Sequence, residues 1–269
     1  MIGVGLMGLP RRHLGLHSVA SSLGVVVVWG VLLTAQTVVP DFETLRRVAE
    51  QGDAAAQNDL GKAYANGAGV SRDPVEAVRW FTLAAEQGYA VAQANLGLAY
   101  NKGVGVSEDH EEAARWFHLA AEHGVPVAEH NLGLAYANGT GVVEDDIEAV
   151  RWFQLAADHG HAAAQHNLAI AYANGLGGVS QSLSEAVRWF RLAADQGHPA
   201  AQGNLGVAYS NGLGVPRDPA EAVMWYRLAA DRGYAAAQFA LSELEAIMTQ
   251  EELDEAERLT REWQPAGQP

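Results

Sequence analysis

Apolar and polar residues alternate along this chain in two helical patterns that follow one another and then return at a fixed interval. In the stretch from Tyr89 to Gly124, Ala92, Leu96, Ala99 and Tyr100 fall at i, i+4, i+7 and i+8. That is one stripe of a helix with 3.6 residues per turn. NKGVGV follows from Asn101 to Val106, and glycine there supplies the left-handed geometry that ends a helix. A second stripe holds Ala113, Trp116, Phe117 and Ala120 at i, i+3, i+4 and i+7. It begins near Asp109, an acid suited to the positive end of a helix, and stops at Gly124. The spacing predicts an antiparallel pair of helices, each of about 13 residues, joined by a short glycine-rich loop.

The pair recurs. Tyr64, Tyr100, Tyr136, Tyr172 and Tyr209 form one ladder, and Trp80, Trp116, Trp152, Trp189 and Trp225 another. Both step by 36 residues, with one step of 37 where either Gly177 or Gly178 is extra. A period in this range is the signature of a solenoid, in which each unit buries its stripe only against its neighbours. Five units are drawn at 53–88, 89–124, 125–160, 161–197 and 198–233, with a partial unit at 234–247. Residues 36–52 read as a linker and an N-terminal capping helix. Residues 248–269 read as a C-terminal capping helix with an unstructured tail. Thr249 and Glu252 there have the spacing of a capping box. The tryptophans sit at regular helical positions and are read as core.

Composition changes the picture at the N-terminus. Arg11 and Arg12 precede an apolar run from Leu23 to Leu33, with Ala35 after it. Residues 1–35 are therefore expected to be a signal peptide cleaved near Ala35. The alternative is an N-terminal membrane anchor from Val19 to Val39, whose length spans the ~30 Å of a bilayer core. Either way the repeats are expected outside the cytoplasm, periplasmic or secreted, and touching a membrane only through that segment. Beyond residue 35 the chain holds 15 basic and 32 acidic residues, a net charge of −17. Such a surface repels phosphate backbones, which excludes nucleic acid as a partner. The absence of cysteine from the sequence excludes disulfides, thiolate catalysis and cysteine-ligated zinc.

Candidate chemistry lies in positions that do not serve the stripes. Asp59, Asn95, Asn131, Asn167 and Asn204 form a column just before the repeated leucine. An amide both donates and accepts, so such a ladder can hold the backbone of an extended peptide; each can equally tie down its own surroundings. The adjacent column reads Asn58, Ala94, His130, His166, Gly203 and Phe239 and differs from copy to copy, as a partner-specific surface would. The partner-binding set is accordingly Asn95, His130, Asn131, His166, Asn167 and Asn204. His130 and His166 are one unit apart, and helices ~10 Å apart hold them too far from one another to share a zinc at ~2.0 Å each. His159 and His161 with His166 make a looser set. The histidines are read as solvated, with no metal, cofactor or catalytic residue expected. The glycine pairs in the loops lack the lysine and preceding strand of a phosphate loop.

A 36-residue unit reading A-x-x-x-L-G-x-x-Y, G-x-G-V, E-A-x-x-W and A-A-x-x-G resembles the Sel-one-like repeat, a relative of the tetratricopeptide repeat. The likeness covers residues 53–247, and Ala169 departs from it where other full copies carry glycine. The resemblance implies an all-α fold, a right-handed α-α superhelical solenoid with protein or peptide partners on its concave face. Exported bacterial members of the family are associated with the cell envelope and with host contact. The function so implied is a non-catalytic interaction scaffold in the envelope, monomeric or weakly oligomeric. A secreted host-interaction factor is the alternative. A β-lactam- or peptidoglycan-directed enzyme is a further one, by analogy with cysteine-rich members whose disulfides this chain lacks.

Overall fold

In a computed structural model, residues 41–264 are described; the expected leader at 1–35, the start of the linker and the tail from 265 lie outside the described residues. The described chain forms thirteen helices and, within those residues, no strand. A lone α1 (Phe42–Glu50) precedes five hairpins: α2 (Ala54–Asn66) with α3 (Pro74–Glu86), α4 (Ala90–Lys102) with α5 (His110–Ala121), α6 (Pro126–Asn138) with α7 (Asp146–Asp158), α8 (Ala162–Asn174) with α9 (Leu183–Asp195), and α10 (Pro199–Asn211) with α11 (Pro219–Asp231). Then come α12 (Ala235–Glu245) and α13 (Gln250–Glu262). Two compact units divide these helices, one of residues 41–125 with 140–142, the other of 126–139 with 143–264.

In the first unit the hairpins close as the stripes demand. Gly67 and Gly103 end α2 and α4 in the left-handed conformation, and Asp73 and Asp109 cap α3 and α5 by accepting backbone N–H bonds. Gly61 and Gly97 let the paired helices approach closely. A Cβ at either would sit within 2.7 Å of the ring of Phe81 or Phe117. Trp80 packs with Ala49, Ala56 and Leu60, and Trp116 with Ala92, Leu96 and Phe81. Each tryptophan thus fills the gap towards the preceding repeat. At ~25 cal/mol per Å² of apolar area removed from water, one such ring stabilises the array by a few kcal/mol. Gln57 and Gln93 are buried and donate to the carbonyls of Ala49 and Ala85, tying each first helix to the helix before it.

The second unit repeats this arrangement, with Gly133 against Phe153 and Gly206 against Tyr226. Ala169 holds the glycine position opposite Phe190, and both remain buried, so the extra methyl is accommodated. The structure also decides which glycine is inserted. Gly105, Gly141 and Gly214 each lie on the first turn of the second helix one repeat earlier, where a Cβ would run into the carbonyl of Pro74, His110 or Leu183. Gly177 does the same over Asp146, while Gly178 has only Ile147 near it, at 3.9 Å. Gly178 is the extra residue.

At the end of the chain, α13 packs on α11 through Ala256 and Leu259, and Trp263 meets Trp225 edge-on at 6.1 Å. Thr249 and Glu252 form the reciprocal capping box that their spacing predicts. α12 ends the series as a first helix with no second helix of its own, and Phe239 on it is 65% exposed.

Candidate functional site

The candidate residues all lie on first helices of the repeats, and the structure gives each a partner within the chain. In the first unit Asn95 donates to Asn58 Oδ1 at 2.8 Å, and Asn58 is itself buried. In the second unit Asn131 turns back on its own helix and donates to the Val127 carbonyl at 2.7 Å. Asn167 and Asn204 instead reach into the preceding repeat. Asn167 Nδ2 donates to His130 Nε2 at 3.2 Å, and Asn204 Nδ2 to His166 Nε2 at 3.1 Å. Asn167 is buried, whereas Asn95, Asn131, Asn204, His130 and His166 keep an exposed edge.

For His130, His161 and His166 the expectation of solvated histidines is corrected here. His130 lies 5.9 Å from the Phe153 ring and stacks on His161 at 4.6 Å. His166 repeats this against Phe190 at 5.6 Å and His198 at 4.8 Å. His161 and His198 are themselves N-caps, accepting at Nδ1 the N–H of Ala164 and Ala201. These bonds fix the tautomers. His130 and His166 accept at Nε2, so their proton sits on Nδ1; His166 directs it at Asn167 Oδ1, 3.4 Å away. His161 and His198 accept at Nδ1 and carry their proton on Nε2. Burial pushes the His130 and His166 imidazoles down to about 3, with the neighbouring histidines adding to it, and His198 down to about 4. His161 is lowered by burial as well. All four are therefore neutral at neutral pH. Among the described residues, no group of three or more histidine, aspartate or glutamate side chains is placed to hold a metal ion.

Variation in the second column has an internal counterpart. Where the column holds Gly203, the first residue of the following repeat is Tyr234, and a Cβ on Gly203 would lie 2.5 Å from that ring. Where it holds His130 or His166, the following residue is His161 or His198, stacked upon it. A sequence signal for the histidines existed: in both copies where the column holds histidine, the first residue of the next repeat, 31 or 32 positions on, is histidine too. Sequence reasoning also passed over Glu129. It replaces the column of buried glutamines, is 1% exposed, and bonds His159 Nδ1 at 2.8 Å. A further open cleft of about 720 Å³ lies beside the starts of α11 and α13, lined by Arg217, Asp218, Glu252, Glu255 and Arg258. Asp218 already occupies the free N–H groups of α11 there, so an anion finds no open helix end.

The Sel1 repeat matches residues 54–89, 90–125, 126–161, 162–198 and 199–234, one residue later in phase than the periods drawn from the sequence. Among solved structures, a protective antigen present in uropathogenic Escherichia coli strains, displaying an SLR fold, is 38% identical with a TM-score of 0.73. The match covers 83% of this chain and 49% of that one, so this chain spans about half the antigen's length. A Sel1 repeat protein from Oxalobacter formigenes is 32% identical with a TM-score of 0.71, over 85% of this chain and 94% of that one. No curated protein matches the chain.

Proposed function

The chain belongs to the Sel1 repeat family, an all-α helical repeat solenoid, and on that premise we propose that it is a non-catalytic scaffold of the bacterial cell envelope. It binds a protein or peptide partner through exposed positions of its first helices. Protein–protein interaction is the typical role of Sel1 repeat proteins. The observation that carries the reading is the set of partly exposed polar edges on α6, α8 and α10 of the second unit, with Asn95 on α4 a separate one in the first. Asn131, Asn204, His130 and His166 make up the second-unit set, while buried Asn167 holds two repeats in register. Asn131 is the member best suited to meet a partner, because it bonds the Val127 carbonyl of its own helix and exchanging that bond would not open an inter-repeat one. Export is proposed on the apolar leader that follows Arg11 and Arg12; among the described residues no helix is long and apolar enough to cross a membrane.

Crosslinking in intact cells followed by affinity capture of the whole chain tests the reading. A protein partner recovered with the native chain and lost with Asn131→Ala, at unchanged helicity, is the expected result. Recovery of no protein partner under either condition overturns it. One observation favours a host-facing variant of the same reading: the similar E. coli protein is a protective antigen. Accumulation of this chain in the culture medium rather than the envelope separates the two.

A further inference from the structure

Four histidines of the second compact unit are built into the seams between consecutive repeats, and they form two copies of one device. In the first copy His130 of α6 stacks on His161, the cap of α8, and accepts from Asn167 of α8. In the second, His166 of α8 stacks on His198, the cap of α10, and accepts from Asn204 of α10. Each histidine holds its place through a bond that only the neutral ring can make. A protonated His161 or His198 would present N–H to the N–H it caps. A protonated His130 or His166 would present N–H to an asparagine NH2. Within each stack two charged rings would also lie less than 5 Å apart.

We infer that these paired histidines are an acid-sensitive lock, which holds α6, α8 and α10 in register at neutral pH and releases them on acidification. The surroundings offer no charge to soften the release. From α7 and α9 the facing groups are the rings of Phe153 and Phe190; from α6, α8 and α10 they are the histidines themselves and Asn167 and Asn204. The titratable groups acting on the four rings are one another, with no carboxylate among them. Glu129, next to His130 in the sequence, is bonded to His159. The sign follows from linkage. In the open chain each histidine takes a proton below about 6.5, and in the closed seam His130 and His166 do so only near 3, so the open state binds more protons and stability falls as pH falls. The lock is whole above pH about 6.5 and fades from there towards pH 3 to 4. At about pH 4.5, two units below the open-state value, each of His130 and His166 shifts the opening equilibrium by about 100-fold.

Hydrogen–deuterium exchange on the full chain between pH 7.5 and 4.5, normalised for intrinsic exchange, tests the lock. The control is a quadruple variant that borrows a pair another repeat carries at these positions, H130A and H166A after Ala94, H161V and H198V after Val125, 31 positions on from it. Expected is a loss of protection of 100-fold or more in α6, α8 and α10 of the native chain at pH 4.5. Helices α2 to α5 and the quadruple variant should lose much less. Equal loss in native and variant chains overturns the proposal. Should the variant fold poorly, imidazole NMR titration of the native chain decides alone: rings that protonate near 6.5 while the helices stay protected also overturn it.

Discussion

The close fit between Gly133 and Phe153 makes a quantitative prediction. An ideal Cβ on Gly133 would lie 2.7 Å from both Cδ1 and Cε1 of the ring, and 3.2 Å from the Ala149 carbonyl. Carbon atoms in ordinary contact are ~3.5–4.0 Å apart, so the methyl overlaps the ring by about 1 Å. Overpacking of that size destabilises by ~1–3 kcal/mol. Alanine returns ~1 kcal/mol in helix propensity, so Gly133→Ala is expected to lose ~0–2 kcal/mol net. Phe153 is completely buried; Phe153→Leu removes ring atoms and is expected to lose ~1–2 kcal/mol by comparison with deeper truncations. In G133A/F153L the new methyl enters the space the ring vacated. The double variant should then be more stable than the two single losses predict, by more than ~0.5 kcal/mol. Urea denaturation followed by far-UV circular dichroism measures the cycle. Repeat arrays can unfold region by region, so the four proteins are compared only if each shows one transition. Additivity within ~0.3 kcal/mol would refute the reasoning, since it would mean that the ring does not rest on this glycine. Ala169→Gly is the inverse control: opposite Phe190 the methyl is already housed, so its removal should destabilise by about 1 kcal/mol.

The remaining predictions probe loops, caps and the exceptional carboxylate. Gly105→Ala should destabilise by ~2–4 kcal/mol, from left-handed backbone strain plus collision with the Pro74 carbonyl, whereas Gly178→Ala, with only Ile147 nearby, should lose ~1–2 kcal/mol; thermal melts rank them. Asp109→Ala removes the carboxylate that accepts from the Glu112 N–H at 3.0 Å and should lose about 1 kcal/mol in urea denaturation. Glu129→Gln restores the glutamine found at the equivalent place in the other full repeats and relieves a buried carboxylate, so its melting midpoint should rise; a fall would show that the bond to His159 outweighs the burial of charge.

Much of the fold is legible in the sequence because the same contacts are written five times. Leu96, Trp116 and Ala120 recur at one spacing, so periodicity alone identifies the buried stripe, and Gly103 and Asp109 mark the helix ends independently. The choice between Gly177 and Gly178 was not legible. Two adjacent glycines read alike until one is seen against the Asp146 carbonyl. That His130 and His166 are not solvated, against the expectation, was not legible for a related reason. Helical periodicity places His130 and His166 beside the buried stripe, but says nothing of what the next repeat sets against them.

That difference bears on how variation in a repeat array is interpreted. A column that changes from copy to copy attracts attention as a recognition surface, because a frame under purely internal constraint would repeat. The seams qualify this. Gly203 accompanies Tyr234, and His130 and His166 accompany His161 and His198, so a position can vary because its neighbour across the seam varies with it. The asparagine column shows the converse. Its residue type stays constant through Asn95, Asn131, Asn167 and Asn204, yet the bonding differs: to a buried amide, to the helix's own carbonyl, and to two imidazoles. Asn131 bonds locally, to the Val127 carbonyl one turn back on its own helix. A partner approaching this face would find that amide the easiest to recruit, since exchanging one helical carbonyl for a peptide carbonyl leaves the seams between repeats closed.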